Sequence, residues 1–152
     1  MADRITLDVV ARVRNGRTSA ADADWGAVES RIEVVPEFAD GLPGLEQFSH
    51  ALVVFHMHLD PDGEAPVLRR RPRGRADMPL LGVFAQRGRM RPNPIGVTAV
   101  EVVRVEPDAV VVRGLDALDG TPVLDLKPYA PVFDRRDARV PEWLDRLMQG
   151  YF

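Results

Sequence analysis

The stretch Val97-Thr-Ala-Val-Glu-Val-Val-Arg-Val-Glu-Pro-Asp-Ala-Val-Val-Val-Arg-Gly114 contains two valine-rich runs separated by Glu106-Pro107-Asp108. Proline and aspartate favour a turn, and valine favours strands, so the stretch predicts strands over Val97–Val105 and Ala109–Gly114 joined by a compact hairpin connection. Other short apolar runs in the chain are also separated by Gly, Pro and Asp turns. This pattern favours a mainly β fold, a sandwich or a barrel, over a helical bundle.

Further elements are predicted on both sides of this hairpin. Strands are expected at Ile5–Val13, at Glu29–Val35 and, as a fully buried central strand, at Ala51–Phe55. Pro36 to Phe48 is expected to be a loop or a short helical turn.

The C-terminal third of the chain predicts one more strand and a helix. In Thr121–Tyr129, strict alternation directs Leu124 and Leu126 to one face and Asp125 and Lys127 to the other. A short C-terminal helix is expected to begin at Pro141, with an apolar stripe of Leu144, Leu147, Met148 and Tyr151.

Length and composition limit the function classes. With 152 residues, 45% of them hydrophobic, the chain is expected to form one domain over residues 1–152. The net charge of -3 argues against broad, non-specific nucleic-acid binding.

The absence of cysteine excludes disulfides, thiolate metal sites and cysteine nucleophiles. The start lacks an apolar signal region and no run reaches membrane-spanning length, so a cytoplasmic protein without a membrane partner is expected.

Two arginine-rich segments are candidate anion sites. Arg87, Arg89 and Arg91 share one side if their segment is extended, and Pro92 and Pro94 then present Asn93 on a stiff loop. The alternative is an ordinary strand-entry turn with solvated arginines. The second segment contains five arginines, Arg69, Arg70, Arg71, Arg73 and Arg75. It is expected to be a loop that either is a solvated linker or contacts a polyanion.

Other chemistry has weaker support. His50, His56, His58 and Asp60 share a face if an extended strand runs unbroken, which is compatible with a metal site, although such histidines more often line a pocket. Asp116 and Asp119 are candidate general bases, but Asp-Gly is primarily a turn signal. No Gly-x-Ser-x-Gly elbow and no Gly-x-Gly-x-x-Gly loop is present, so a serine triad and a doubly wound nucleotide-binding fold are not expected.

Three motifs together resemble the TrmO/YaeB family, also called TsaA-like. They are Gly44-Leu-Glu-x-Phe-Ser-His50, Phe84-Ala-x-Arg-x-x-x-Arg-Pro-Asn-Pro-Ile-Gly96 and Gly114-Leu-Asp-x-Leu-Asp-Gly-Thr-Pro-Val-Leu-Asp-Leu-Lys-Pro-Tyr129. The resemblance implies a compact single-domain β-barrel, often dimeric, that binds S-adenosylmethionine without a Rossmann domain. It also implies a methyltransferase, since characterised members methylate N6 of the threonylcarbamoyl-adenosine beside the anticodon of certain tRNAs.

The resemblance also implies site residues. Cofactor contacts are expected from four groups: Arg14, Asn15 and Gly16; His58 and Leu59; Arg87 and Val97; and Ala117, Leu118, Asp119 and Gly120. The sequence departs from the family at Arg14-Asn15-Gly16, where Arg-Ser-Pro is usual. It departs again at Asp24–Ser30, which replaces a Pro-Arg-Gln segment, and at Gly88-Arg89.

The resulting hypothesis is an S-adenosylmethionine-dependent methyltransferase that needs no metal. Asn93 would orient the acceptor, and Asp125 with Lys127 would act as acid/base or positioning groups unless they simply pair with each other. A tRNA backbone would contact the arginines between Arg69 and Arg75. The alternative is a non-catalytic S-adenosylmethionine-binding module or sensor that acts through a protein partner.

Overall fold

The structure, a computed structural model, describes residues 1–19, 21–58 and 65–152. Its strands and helices are β1 (Ala11–Arg14), β2 (Glu29–Val34), β3 (His50–His56), β4 (Arg69–Arg70), β5 (Leu81–Gly82), β6 (Ile95–Glu106), β7 (Ala109–Arg113), β8 (Pro122–Pro128), α1 (Pro131–Asp134) and α2 (Glu142–Leu147). Short 3-10 helices lie at Pro36–Gly41, Leu45–Gln47, Pro72–Gly74 and Val83–Ala85.

Six antiparallel strands close into a barrel in the order β1-β2-β7-β6-β3-β8. Pairing of Ala11 with Val123 joins β1 to β8 and completes the closure. The hairpin predicted around Pro107 is present as β6 and β7, in which Glu106 pairs with Ala109. A mainly β barrel with a short C-terminal helix is therefore confirmed. Among the described residues, no helix is long and apolar enough to cross a membrane.

The core is formed by inward-facing residues that alternate along the strands. In β3, Ala51, Val53 and Phe55 are buried, whereas Leu52 and Val54 between them are only half-buried. The prediction of a fully buried central strand is thus wrong for β3, although β3 does lie between two neighbours. A closed barrel has an outer surface, and the outward residues of β3 belong to it.

A glycine allows a bulky ring to fill the core between β3 and β6. Gly96 pairs with Phe55, and a Cβ atom at residue 96 would overlap the Phe55 ring. The ring therefore occupies the space that a side chain at residue 96 would need.

Two predicted strands differ from those observed. The predicted Ile5–Val13 strand is a strand only over residues 11–13, and β1 extends one residue further to Arg14. Ile5 and Leu7 are exposed, because β2 and β8 offer pairing partners only from Ala11 onward. In β8, a register shift beside Val54 and Phe55 breaks strict alternation. Val123 and Leu126 contact the core, so the prediction that Leu124 shares the face of Leu126 is wrong.

The two ends of the barrel are covered differently. We call the upper end the one where β1, β3 and β7 finish and β2, β6 and β8 begin. The long connection from β3 to β6, with the small sheet of β4 and β5, leaves from this end. The lower end carries the 3-10 helices at Pro36–Gly41 and Leu45–Gln47, over a cavity of about 590 Å³ with Val10, Phe38 and Leu126 in its lining.

Candidate functional site

The residues expected to contact a cofactor belong to segments that meet at the upper end of the barrel. Arg14 ends β1, and Asn15 and Gly16 follow it. Ala117 to Gly120 lead into β8, and His58 follows β3. Arg87 precedes β6, and Val97 lies near its start. Leu59, like Asp60, lies outside the described residues.

Asp119 connects two of these segments. Its Oδ1 atom accepts hydrogen bonds from the backbone N–H groups of Asn15 (2.9 Å) and Gly16 (3.1 Å). These bonds lower the pKa of Asp119, because they favour its ionised form. The carboxylate is therefore occupied in holding the end of β1, which suits the turn interpretation better than a general base.

Asn15 strengthens the same junction. Its Nδ2 donates to the backbone carbonyl of Ala117 (2.9 Å) and to Ser30 Oγ (3.0 Å), and its Oδ1 accepts from Arg17 N–H (2.9 Å). The amide at residue 15 thus fixes the backbone of the candidate site.

Arg12 bonds to the segment that leads into β8, and its charge acts on His58. Arg12 donates to the carbonyl of Gly120 (3.2 Å). The pKa of His58 is lowered by partial burial first, and then by the charges of His56 and Arg12. His58 is therefore a neutral imidazole at pH 7, able to donate one hydrogen bond and accept another.

The loop of residues 86–94, which carries Arg87, Arg89 and Arg91 and which we call the arginine loop, is folded back on itself. Arg91 donates to the carbonyls of Gln86 (2.9 Å) and Val83 (3.3 Å), and Arg87 donates to the carbonyl of Val97 (2.5 Å). The segment turns through Val83–Ala85 and further bends, so the conditional prediction of three arginines on one side of a strand is wrong.

A small cavity separates this loop from the end of β3. Its volume is about 220 Å³. Among the described residues, its lining includes His56, His58, Arg89, Arg91 and Pro92. The cavity therefore combines cationic side chains with a neutral histidine.

The predicted catalytic residues are not brought together. Asn93 is exposed, and its carbonyl accepts from Ile95 N–H (2.7 Å). Asp125 lies on β8, two strands away across β3, which puts it on the order of 15 Å from Asn93. Asp125 instead pairs with Lys127, with 2.8 Å between Oδ2 and Nζ, on the outer surface of the barrel.

Most arginines between residues 69 and 75 are engaged locally. Arg71 donates to the carbonyl of Met78, Arg73 pairs with Asp22 (3.4 Å) and Arg75 pairs with Asp77 (2.6 Å). Arg69 and Arg70 form β4, in which Arg69 is exposed and Arg70 half-buried. The segment is therefore a short strand and a 3-10 turn, not the plain loop that was expected.

The described histidines do not form a metal site. His50 and His56 lie at opposite ends of β3, about 20 Å apart at the rise of a strand, which is too far for one ion to bind both. No group of three or more histidine and acidic side chains suited to a metal occurs among the described residues.

One polar cluster at this end was missed by sequence reasoning. Asp116 accepts hydrogen bonds from the hydroxyl groups of Thr98 and Tyr151. Tyr151 had been assigned to an apolar helical stripe. The sequence carries no signal for the cluster, because its three members are brought together only by the closure of the barrel and the return of the C-terminal tail.

The comparisons with known proteins agree on one family. The family described as the tRNA-methyltransferase O N-terminal domain matches residues 20–135. A probable S-adenosyl-L-methionine-binding protein of Pyrococcus abyssi is 39% identical over 124 residues, which cover 78% of this chain and 62% of that protein.

Two further similarities concern proteins with longer chains. The tRNA (adenine(37)-N6)-methyltransferase of Escherichia coli is 46% identical over 99 residues, which are 61% of this chain and 41% of that enzyme. A crystal structure of TrmO superposes with a TM-score of 0.75 at 34% identity and covers 91% of this chain and 64% of that one. The chain therefore spans about three-fifths of the length of the Pyrococcus relative and of the TrmO chain.

Proposed function

Because the chain belongs to the family of the tRNA-methyltransferase O N-terminal domain, we propose that it binds S-adenosylmethionine at the upper end of its barrel and transfers the methyl group to an acceptor. One observation carries this proposal. Segments around residues 15, 58, 87 and 119, which are far apart in sequence, converge on that end.

The groups at this end have the chemistry that the cofactor requires. Guanidinium groups at Arg89 and Arg91 suit the carboxylate of its amino-acid part. A neutral His58 does not repel the sulfonium. The backbone between Ala117 and Gly120, fixed by Asp119 and Asn15, offers a rigid platform for the adenosyl group.

S-adenosylmethionine supplies a methyl group on a sulfonium that is a good leaving group, so the reaction is an in-line displacement. The residues of the chain then have to align the acceptor with that methyl group and exclude water. Asn93, exposed on the loop before β6, is proposed to orient the acceptor. Asp125 and Lys127 would act on an acceptor only from the outer surface, where they pair with each other.

The acceptor that we propose is a tRNA adenosine beside the anticodon, at N6 of its threonylcarbamoyl derivative. The name of the Escherichia coli relative, a tRNA (adenine(37)-N6)-methyltransferase, supports a tRNA adenine methylated at N6. Arg69 and Arg70, on the connection that leaves the upper end, would contact the phosphate backbone. A tRNA substrate would also agree with the expected location in the cytoplasm.

Titration calorimetry tests the cofactor site. Wild-type protein is expected to bind S-adenosylmethionine and S-adenosylhomocysteine with saturation. Arg87→Ala should weaken both by about tenfold, because the variant loses the bond that holds the arginine loop to the carbonyl of Val97.

Arg104→Ala is the matched control, since Arg104 is an exposed arginine near the other end of β6, paired with Glu106. Its affinity should equal that of the wild type. Absence of binding by the wild type to either ligand would refute the proposed function.

A non-catalytic binding module is the second candidate. The Pyrococcus relative is named only as a binding protein. Asp125 and Lys127 pair with each other, which gives neither side chain a contact that would assign it to proton transfer. Single-turnover assays with tRNA that carries the threonylcarbamoyl group but lacks the N6 methyl group separate the two candidates. Cofactor that binds but is never consumed, with tRNA or any other acceptor, would favour the module.

A homodimer completes the proposal. Val132 is 76% exposed and its neighbour Phe133 is 77% exposed, and adjacent exposed apolar side chains are typical of a surface that another chain covers. Sedimentation velocity should give twice the 16.9 kDa chain mass, and a monomer at all concentrations would contradict the dimer.

A further inference from the structure

The C-terminal tail, Gly150 to Phe152, packs against the upper end of the barrel. Asp24 N–H donates to the carbonyl of Gly150 (3.0 Å), and Trp25 N–H donates to the carbonyl of Tyr151 (2.9 Å). Gly26 lies so close to the tail that a Cβ atom there would be 2.7 Å from the carbonyl carbon of Phe152. The tail is thus held by backbone hydrogen bonds and close packing along residues 24–26.

The side chain of Tyr151 reaches from this tail into the candidate site. Its hydroxyl donates to Oδ2 of Asp116, while Oδ1 of Asp116 accepts from Thr98. Asp116 directly precedes Ala117, and Thr98 directly follows Val97. One carboxylate therefore connects the tail to two segments that are expected to contact the cofactor.

A second route from the tail reaches the same segments. Trp25 is 4% exposed, and the guanidinium of Arg17 lies 3.5 Å from the centre of its ring. The carbonyl of Arg17 accepts from Asp119 N–H (2.8 Å). The tail thus supports Asp119, whose carboxylate holds the end of β1, as well as Asp116.

The tyrosine hydroxyl serves as a donor and not as a base. Burial, and then the charge and hydrogen bond of Asp116, raise the pKa of Tyr151 far above its usual value, so the phenol keeps its proton at neutral pH. Without that donor, a half-buried carboxylate would lose one of its two partners, and the segment that carries it would be free to shift.

We propose that Tyr151 is a positioning residue of the cofactor site, which acts through Asp116 to hold the segment Gly114–Gly120 in the conformation that binds the adenosyl group. This inference rests on the proposed function. It assigns a role in cofactor affinity to a residue that lies beyond the matched family region, residues 20–135.

The test is a double-mutant cycle on cofactor affinity. Tyr151→Phe removes the hydroxyl but keeps the ring that packs edge-on against Phe152, with ring centres 4.8 Å apart. The dissociation constant for S-adenosylhomocysteine, measured well below the unfolding temperature of each variant, should rise about tenfold. Asp116→Asn should raise it at least as much, because it removes the charge and one of the two acceptor oxygens of residue 116. The double variant should raise it by less than the product of the two single effects, because both changes act on the same interaction.

Tyr129→Phe is the matched control, since it removes the same hydroxyl from a half-buried tyrosine beside the lower end of the barrel. Its affinity should match that of the wild type. Amide hydrogen exchange of residues 114–120 should accelerate in Tyr151→Phe and not in Tyr129→Phe.

The outcomes separate the inference from the function on which it rests. If the wild type binds the cofactor, unchanged affinity in Tyr151→Phe overturns the inference, even if that variant is less stable. Additive effects of the two changes in the double variant also overturn it. In both cases the proposed function stands. If the wild type binds neither ligand, both fail. Should Tyr151→Phe not fold, Asp116→Asn is assessed by the same affinity criterion.

Discussion

Side chains at the upper end of the barrel hold the backbone more than they face an open site. Asp119 accepts from two backbone N–H groups, and Asn15 bonds to a carbonyl, a hydroxyl and a backbone N–H. Both were expected from the sequence to contact the cofactor. Their hydrogen bonds show how they could support cofactor binding indirectly, by fixing the position of backbone groups. The sequence offers no way to distinguish a contact made by the side chain from one made by the backbone.

His58 should give the proposed cofactor site a pH dependence. Because burial and nearby cations lower its pKa below the usual value of 6.5, His58 is neutral at pH 7 and becomes charged only in more acidic solution. A charged imidazole would repel the sulfonium, so affinity for S-adenosylmethionine should fall as the pH drops below 6.5. Calorimetric titrations between pH 5 and pH 8 would measure this fall.

His58→Gln should remove most of that pH dependence, since glutamine keeps hydrogen-bonding capacity without titrating. S-adenosylhomocysteine, which lacks the sulfonium charge, is the ligand control and should respond less to pH. Equal pH profiles for the wild type and His58→Gln would contradict the assignment.

The strands determine which faces of the sequence become core and which become surface. In β8, the bulge opposite Val54 and Phe55 moves Val123 and Leu126 to the inside, against simple alternation. In β6, Gly96 leaves room for the Phe55 ring. Both features depend on the neighbouring strand β3, so they are properties of a pair of elements and not of one sequence segment.

Gly96→Ala tests the fit between β3 and β6. A methyl group at residue 96 would meet the Phe55 ring in a well-packed core, so the free energy of unfolding should fall by about 1–3 kcal/mol. Urea denaturation measures the change. Gly88→Ala, at a position with open space around its Cβ, should have a much smaller effect.

The double variant Gly96→Ala/Phe55→Leu separates overlap from other causes. A smaller side chain at residue 55 should restore part of the lost stability. If Phe55→Leu and Gly96→Ala instead destabilise additively, the overlap explanation is wrong.

At the scale of the whole molecule, the net charge of -3 conceals an uneven distribution of arginine. The connection from β3 to β6 carries eight of the arginines, from Arg69 to Arg91, at the upper end of the barrel. Several of them are held by local partners, including Arg71, Arg73 and Arg75. Contact with a polyanion would therefore be concentrated in a few residues at one end.

The double variant Arg69→Gln/Arg70→Gln tests this electrostatic contact. Wild-type affinity for tRNA should fall steeply with added salt, and in the variant the slope of log affinity against log salt should be smaller by about 1–2. Filter binding at several salt concentrations measures the slope. The control is Arg135→Gln/Arg136→Gln, which changes an exposed pair of arginines after α1. Equal slopes for the wild type and for Arg69→Gln/Arg70→Gln would exclude Arg69 and Arg70 as the tRNA contact.

The sequence by itself determined the fold class and most of the strands. Valine-rich runs and proline or glycine turns are local signals, so the hairpin of β6 and β7 and the strand β2 were predicted within one or two residues. The motifs around Asn93 and Asp119 also indicated the family, because they are long runs of adjacent residues.

Only the tertiary structure decided which of these residues meet. The contacts of Asp119 with Asn15 and of Asp116 with Tyr151 join residues that are far apart in the chain, and no local pattern encodes such pairs. The tertiary structure also separated Asn93 from Asp125, because Asn93 lies on the loop before β6, Asp125 lies on β8, and β3 stands between these two strands. The physical reason is that propensity and alternation act over a few neighbouring residues, whereas barrel closure and the return of the tail determine the partners of each side chain.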